Sequence, residues 1–292
     1  MKNTTAAASA HQLITDRLVS MLEQGTIPWR KPWAGSQGLP KNLISRKAYS
    51  GINTWMLHCS NYGSSYFLTF KQALELGGNV RKGEKGHMVV FSKQMMLKTV
   101  EVETEGRKET MIDGRTGKRM LKKYYVFNVE QCEGIEIPDA GTRHEHDPIE
   151  AAESIIAGMP NRPEIQHGGG KACYIPTRDR IELPEASRFE KRAEYYATAF
   201  HEMAHSTGHA SRLGRDLGGT FGSDPYAREE LIAEMSSAYL CAAAGIETAT
   251  LDNQAAYLAG WIQALKGDSR LAIQAASAAQ KAADYILNKA AA

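Results

Sequence analysis

His201-Glu202-Met203-Ala204-His205 is the stretch on which the reading of this chain turns. On an α-helix, residues four apart lie on one face about one turn from each other, so both imidazoles can close on a single metal ion. Glu202 then sits beside them as a general base. One zinc ion suits this donor pair, and other divalent transition metals are possible substitutes. The flanks read as helix: Phe189 to Phe200 contain neither Pro nor Gly, and Gly208 follows where a helix would stop.

A third ligand has two candidates. His209 would match zinc proteases with a third histidine only if it lay ten residues after the first, and that position is Ser211. The other candidate lies in Arg228-Glu229-Glu230-Leu231-Ile232-Ala233-Glu234, at the start of a second helix with Asp224 as its expected N-cap and Pro225 in its first turn. Glu234 is surrounded by apolar residues, and a buried carboxylate needs a partner such as a metal, so Glu234 is taken as the third ligand. Glu230, one turn earlier, would hydrogen-bond a ligand histidine; alternatively, Glu229 and Glu230 are a charged first turn favoured by the helix dipole.

The 292 residues are enough for two ordinary domains. No run of apolar residues is long enough to span a membrane, and Met1 to Ala10 has no signal-peptide core. The 4 cysteines show no paired spacing, which points to a reduced, cytoplasmic protein. The net charge of +2 hides an asymmetry. Residues 1–130 carry 20 Lys and Arg against 10 Asp and Glu, a balance of +10, and the remainder carries −8. A polyanion partner for the first half follows, although the opposed charges can also dock one half on the other.

The expected fold is α+β in two domains: 1–132, a linker at 133–147, and 148–292. In the first, helices are expected from Leu13 to Leu22, Ile52 to Ser60 and Thr69 to Leu76. Strands follow at His87 to Ser92, Met95 to Val102 and Arg119 to Phe127, with Glu103 to Lys118 as a solvated hairpin loop. The second has a helix from Pro148 to Ala157 and strands at Ala172 to Ile175 and Arg180 to Leu183. The His201 and Glu234 helices come next, then Ala-rich helices from Asn253 to Lys266 and Ser269 to Asn288. A small sheet followed by such helices is the zincin arrangement.

Binding a single nucleic-acid strand takes cations for phosphates and flat rings for bases. The first half interleaves the two in Trp29-Arg30-Lys31-Pro32-Trp33, in Arg46-Lys47-Ala48-Tyr49 and around Lys71. A glycine-rich loop adds Arg81, Lys82 and Lys85. Against this, Trp33, Trp55 and Phe67 also suit a core, and Lys122-Lys123 suit the wet face of a strand. Single-stranded DNA is the expected partner, because no recognition helix for duplex stands out.

Several motifs together resemble the ArdC-type antirestriction proteins of conjugative plasmids. They are Pro28-Trp29…Pro32-Trp33, Tyr49-Ser50-Gly51-Ile52-Asn53, Thr69-Phe70-Lys71-Gln72-Ala73 and Gly77-Gly78-x-Val80-Arg81-Lys82-Gly83-Glu84 in the first half. The second half has Tyr195-Tyr196-Ala197-Thr198-x-x-His201-Glu202-x-x-His205-x-Thr207-Gly208-His209, Arg212-Leu213 and Glu229-Glu230-Leu231-x-Ala233-Glu234. The resemblance implies a single-stranded-DNA-binding module shared with TraC-type primases, joined to a zinc metallopeptidase-like domain. It implies protection of incoming plasmid DNA from host restriction, with His201, His205 and Glu234 on the metal and Glu202 as base. The site would cleave a protein near the DNA, with His209, Tyr226 or Tyr174 stabilising the oxyanion. The alternative is protection by DNA binding alone, with a structural or dispensable metal.

Overall fold

A computed structural model describes residues 8–30, 38–96, 99–104, 107–112, 115–137, 147–218, 223–246 and 254–289, with side chains for all of these except 94–119 and 254–256. The first helix, α1 (Ala10–Glu23), is capped by the Ser9 hydroxyl and buries Ile14, Leu18 and Leu22 on one stripe. A 3₁₀ turn (Pro28–Arg30) follows, then β1 (Lys41–Asn42), α2 (Ile52–His58), β2 (Tyr66–Leu68) and α3 (Phe70–Glu75). Thr69 and Gln72 form a reciprocal capping box at α3, so this helix starts where its sequence signal lies.

Strands β3 (Asn79–Val80), β4 (His87–Met96), β5 (Thr99–Thr104), β6 (Arg107–Ile112), β7 (Arg115–Asn128) and β8 (Cys132–Glu133) complete the first half. One sheet has the order β1-β2-β7-β4, while β3 pairs with β8 and β5 with β6. The expected solvated loop at Glu103 to Lys118 is instead mostly strand. Thr99 to Thr104 pairs antiparallel with Arg107 to Ile112, so backbone pairing overrides the weak propensity of the charged residues there.

The second half opens with α4 (Pro148–Gly158), capped by Asp147. Its sheet has the order β10-β11-β9, built from β9 (Glu164–His167), β10 (Cys173–Ile175) and β11 (Arg180–Leu183). Helices α5 (Arg192–Ser206), α6 (Asp224–Ala244), α7 (Gln254–Gly267) and α8 (Leu271–Ile286) follow. The N-cap of α6 is Ser223 rather than the expected Asp224, which is the first helical residue. Small side chains on α8 (Ala272, Ala275, Ala276, Ala279, Ala283) are all buried, so α6 approaches closely enough for the Ser236 hydroxyl to reach the Ala279 carbonyl at 3.2 Å. No described helix is long and apolar enough to cross a membrane.

The largest hydrophobic cluster belongs to neither half alone. Ile14, Leu18, Leu22, Trp29, Ile52, Trp55 and Met56 join residues of α5 to α8 in one core. Trp29 meets Trp261 edge-on at 5.4 Å, and Trp55 lies 4.6 Å from Tyr239. The Tyr239 hydroxyl donates to the Gly51 carbonyl at 3.0 Å, and Thr15 donates to that of Ser269 at 2.8 Å. The expected docking by complementary charge is therefore mainly a docking by aromatic burial. Of the linker expected at 133–147, residues 138–146 lie outside the described residues.

Trp29→Ala is expected to cost about 3–5 kcal/mol, as for a buried large aromatic. Because the core is shared, both halves should lose structure in a single denaturant transition. Far-ultraviolet circular dichroism and near-ultraviolet probes that separate into two transitions would contradict a common core.

Candidate metal centre

α5 carries Tyr196, Ala197, Phe200, Met203 and Ala204 into the core, and this rotation points His201 and His205 toward α6. The helix ends at Ser206, and its last carbonyls are taken by two arginines from the following loop. Arg212 Nε donates to the Ser206 carbonyl at 2.7 Å, and Arg215 Nη2 to that of Ala204 at 2.9 Å. Cations at a helix C-terminus also suit its dipole. A Cβ at Gly208 would press on the Leu217 side chain and lie 3.1 Å from the His205 carbonyl oxygen, so a larger residue there requires Leu217 to move. Arg212 also pairs with Asp179 and donates to the Tyr174 hydroxyl, which ties the β10–β11 turn to the end of α5.

Two successive turns of α6 face α5. The donor atoms of His201, His205 and Glu230 all lie within 4.8 Å of one another. His201 Nε2 and His205 Nε2 are 3.1 Å apart, with Glu230 oxygens at 3.6 Å and 3.5 Å from them. Tetrahedral ligands at 2.0–2.1 Å from a zinc ion are separated by about 3.3 Å, so the donor set has the spacing a small divalent ion requires.

The far nitrogens of both rings face carboxylates. His201 Nδ1 lies 3.5 Å from Glu234 Oε1, and His205 Nδ1 lies 3.4 Å from Glu229 Oε1. Each carboxylate is in turn held by a guanidinium. Arg30 grips Glu234 with two bonds of 3.0 Å, and Arg215 grips Glu229 at 3.2 Å and 2.6 Å. The result is two parallel Arg–Glu–His chains whose Nε2 atoms converge on Glu230. Glu230 is thus among the convergent donor atoms, whereas Glu234, expected as the third ligand, lies behind His201 in a bidentate pair with Arg30. Sequence reasoning missed both arginines in this setting: Arg30 reaches the site from the 3₁₀ turn 204 positions before Glu234, and Arg215 from the loop between α5 and α6.

Burial alone would push the imidazoles down and the carboxylates up. The facing charges reverse both effects: Glu230 holds His201 above the ordinary value of 6.5, and Glu229 and Glu230 hold His205 well above it. Conversely, His205 and Arg215 hold Glu229 below the usual range, and the two imidazoles hold Glu230 far below it. With both imidazoles neutral, as metal ligands must be, the formal charges of Glu202, Glu229, Glu230 and Glu234 against Arg30 and Arg215 sum to −2 in the site. A divalent cation would cancel that charge, so the residues fit a metal ion by spacing, donor chemistry and charge.

His201, His205, Glu229, Glu230, Glu234 and Arg30 line a cleft of about 480 Å³ that also includes Glu202, Trp29, Cys173, Tyr226 and Tyr257. Tyr226 Oη lies 3.3 Å from Tyr257 Oη; burial, that contact and the nearby Glu230 push the Tyr226 phenol far up, so it stays protonated. The Tyr174 hydroxyl donates to Asp179 at 2.8 Å, and burial followed by Asp179 pushes its pKa up to about 12. His209 is absent from the cleft lining, with its Nδ1 2.8 Å from Ser211 Oγ.

The expected DNA contacts divide. Trp29 is completely buried and Arg30 is committed to Glu234, so neither offers a free ring or cation to a strand. Tyr49 is buried against Phe67. These three expectations are corrected by the packing. Arg46, Lys47, Lys71, Arg81, Lys82 and Lys85 are exposed, with Arg46 over the Tyr66 ring at 4.9 Å. Lys31 and Trp33 lie outside the described residues.

Residues 8–127 match the N-terminal domain of anti-restriction factor ArdC, and residues 150–278 match a zincin-like metallopeptidase family. The crystal structure of the antirestriction protein ArdC from plasmid R388 in its metal-free form is 37% identical, covers 97% of this chain and 100% of that one, and gives a TM-score of 0.73. Its Mn(II)-bound form is 38% identical over 96% of this chain and 98% of that one, with a TM-score of 0.74. The DNA primase TraC of Escherichia coli is 37% identical over 95% of this chain, which spans only 20% of that protein's length. The chain belongs to the ArdC antirestriction family, with an ArdC N-terminal domain and a zincin-like metallopeptidase domain.

Proposed function

We propose that this protein binds single-stranded DNA through its first domain and protects incoming plasmid DNA from restriction in the recipient cytoplasm, using a metal-dependent peptidase-type site in its second. The observation that carries the peptidase reading is the pair of Arg–Glu–His chains. They orient two imidazoles toward Glu230 while Glu202 lines the same cleft. A structural metal would need no such base, and it is usually closed by four protein ligands, whereas three donors converge among the described residues.

In this reading His201, His205 and Glu230 hold the ion, zinc by donor type, although the relative's manganese form shows that a related protein takes another metal. Bound there, a divalent ion supplies Lewis acidity toward a carbonyl and toward water. Glu202 takes a proton from the attacking water and passes it to the leaving amine. Tyr226, kept protonated, donates a hydrogen bond to the developing oxyanion. β10 is the edge of its sheet, and Cys173 and Tyr174 line the cleft, so an extended protein segment can lie along it. Exposed Arg46, Lys47, Lys71, Arg81, Lys82 and Lys85 supply phosphate contacts for DNA. The second reading, protection by DNA binding alone, is favoured by the +10 balance of the first 130 residues, which needs no hydrolysis.

The deciding experiment compares wild type with Glu202→Ala in protecting a conjugating plasmid from a restricting recipient, with metal content and DNA binding measured in parallel. Loss of protection with both retained is the expected outcome. Full protection would leave DNA binding as the working function.

Glu229→Gln and Glu234→Gln keep side-chain size but remove the charge behind each imidazole. Each should weaken metal binding about 10- to 100-fold in chelator competition. Unchanged affinity in both would remove the two carboxylates from the metal's support.

Metal uptake should release protons. Raised folded-state values mean that the metal-free protein holds protons on His201 and His205 that the unfolded chain gives up near 6.5. That stabilisation is complete below 6.5 and is lost as pH rises through the raised values, while metal affinity rises over the same window. Calorimetric titration in buffers of different ionisation enthalpy should show buffer-dependent heats; identical heats would rule the proton exchange out.

A further inference from the structure

Phe91 and Tyr124 form an exposed aromatic pair that none of the three hydrophobic clusters absorbs. They lie on the antiparallel pair of β4 and β7, whose register sets His87 opposite Val126, Val89 opposite Tyr124, Phe91 opposite Lys122 and Lys93 opposite Met120. Opposed residues share a face, and so do alternate residues along each strand, so these eight side chains form one stripe. At its lower end Val89 and Val126 are closed under Tyr49, Leu57 and Phe67. Beyond them the stripe opens: Phe91 is 46% exposed, Tyr124 43% and Met120 45%, with Lys93 and Lys122 also exposed.

The two rings are already assembled, with centroids 5.6 Å apart and planes at 70°. An aromatic pair held open to water on a sheet is the kind of apolar patch that marks a binding surface. Its chemistry is selective. Of the eight residues two are lysines and none is a carboxylate, so the surface complements a polyanion with flat groups. A protein interface would tend to exclude lysine from such a centre. Duplex DNA hides the faces of its bases in the stack, whereas a single strand offers both bases and phosphates. The stripe contributes nothing to the metal cleft.

We propose that the Phe91–Tyr124 face is the stacking platform for single-stranded DNA, with bases on the two rings and flanking phosphates on Lys93 and Lys122. The proposal rests on the single-strand-binding reading above, and it supplies the aromatic surface that buried Trp29 and Tyr49 cannot.

The test is fluorescence anisotropy with a labelled oligothymidine of about 15 nucleotides, run over a salt series on the full chain. Phe91→Ala, Tyr124→Ala, Tyr124→Phe and the pair Lys93→Gln with Lys122→Gln are all exposed changes, and thermal melting checks that each still folds. Either alanine variant should raise Kd about 5- to 150-fold at every salt concentration, while Tyr124→Phe stays near wild type. The lysine pair should flatten the slope of log K against log salt by about 1.4. If wild type binds the oligonucleotide and both alanine variants bind it equally well, the platform is refuted and the single-strand reading stands. If wild type does not bind at all, both fall. If the alanine variants convert a dimer to a monomer in sedimentation with DNA affinity intact, the face joins two copies of this chain and the proposal is overturned.

Discussion

A buried carboxylate facing two buried imidazoles constrains everything around it. Glu230 sits at 3.5 Å and 3.6 Å from the Nε2 atoms of His205 and His201, in a region from which water is largely removed. Such a group is tolerated only when charge and hydrogen bonding are balanced on every side. The balance comes from four elements: α5 and α6, the loop carrying Arg215, and the turn carrying Arg30. Their relative placement is therefore set by electrostatics as well as by packing. A displacement of α6 by one turn would bring Glu234 toward the imidazoles and leave Arg30 without its carboxylate.

The Arg30–Glu234 pair gives the two-domain organisation a physical consequence. Arg30 lies in the region matching the ArdC N-terminal domain, yet its guanidinium helps to line the cleft of the zincin-like domain. Trp29, its neighbour, is sealed against Trp261. The surrounding core joins α1 and α2 to α6 and α8. The first domain is thus part of the wall of the metal site, and a zincin-like fragment alone would lack the residue that positions Glu234. Six of the expected cations remain exposed on the rest of the first domain, Lys71 on α3 and the others on loops.

Much of this was legible in advance where the signal is local. Thr69 and Gln72 announce α3 because a cap needs only residues three apart. The two histidines of α5 align because helical geometry alone brings residues four apart together. Local signals misled where long-range pairing decided the outcome. Glu103 to Lys118 carries enough charge and turn propensity to read as loop, yet Glu103, Thr104 and Arg107 to Ile112 lie in paired strands. Trp29 and Arg30 alternate ring and cation as a strand-binding segment does, but the partners that claim them lie more than 200 positions away.

The sequence by itself determined the chemistry of the second domain: two imidazoles one turn apart, a glutamate beside them, and a second helix rich in carboxylates. Periodicity along one helix is a property of the backbone and needs no tertiary information. Which carboxylate meets the imidazoles was decided only by the tertiary structure. Glu230 and Glu234 occupy the same face of α6 one turn apart, and helical spacing treats them alike. The register of α6 against α5 separates them, and Arg30, arriving from the other domain, settles which one is held back.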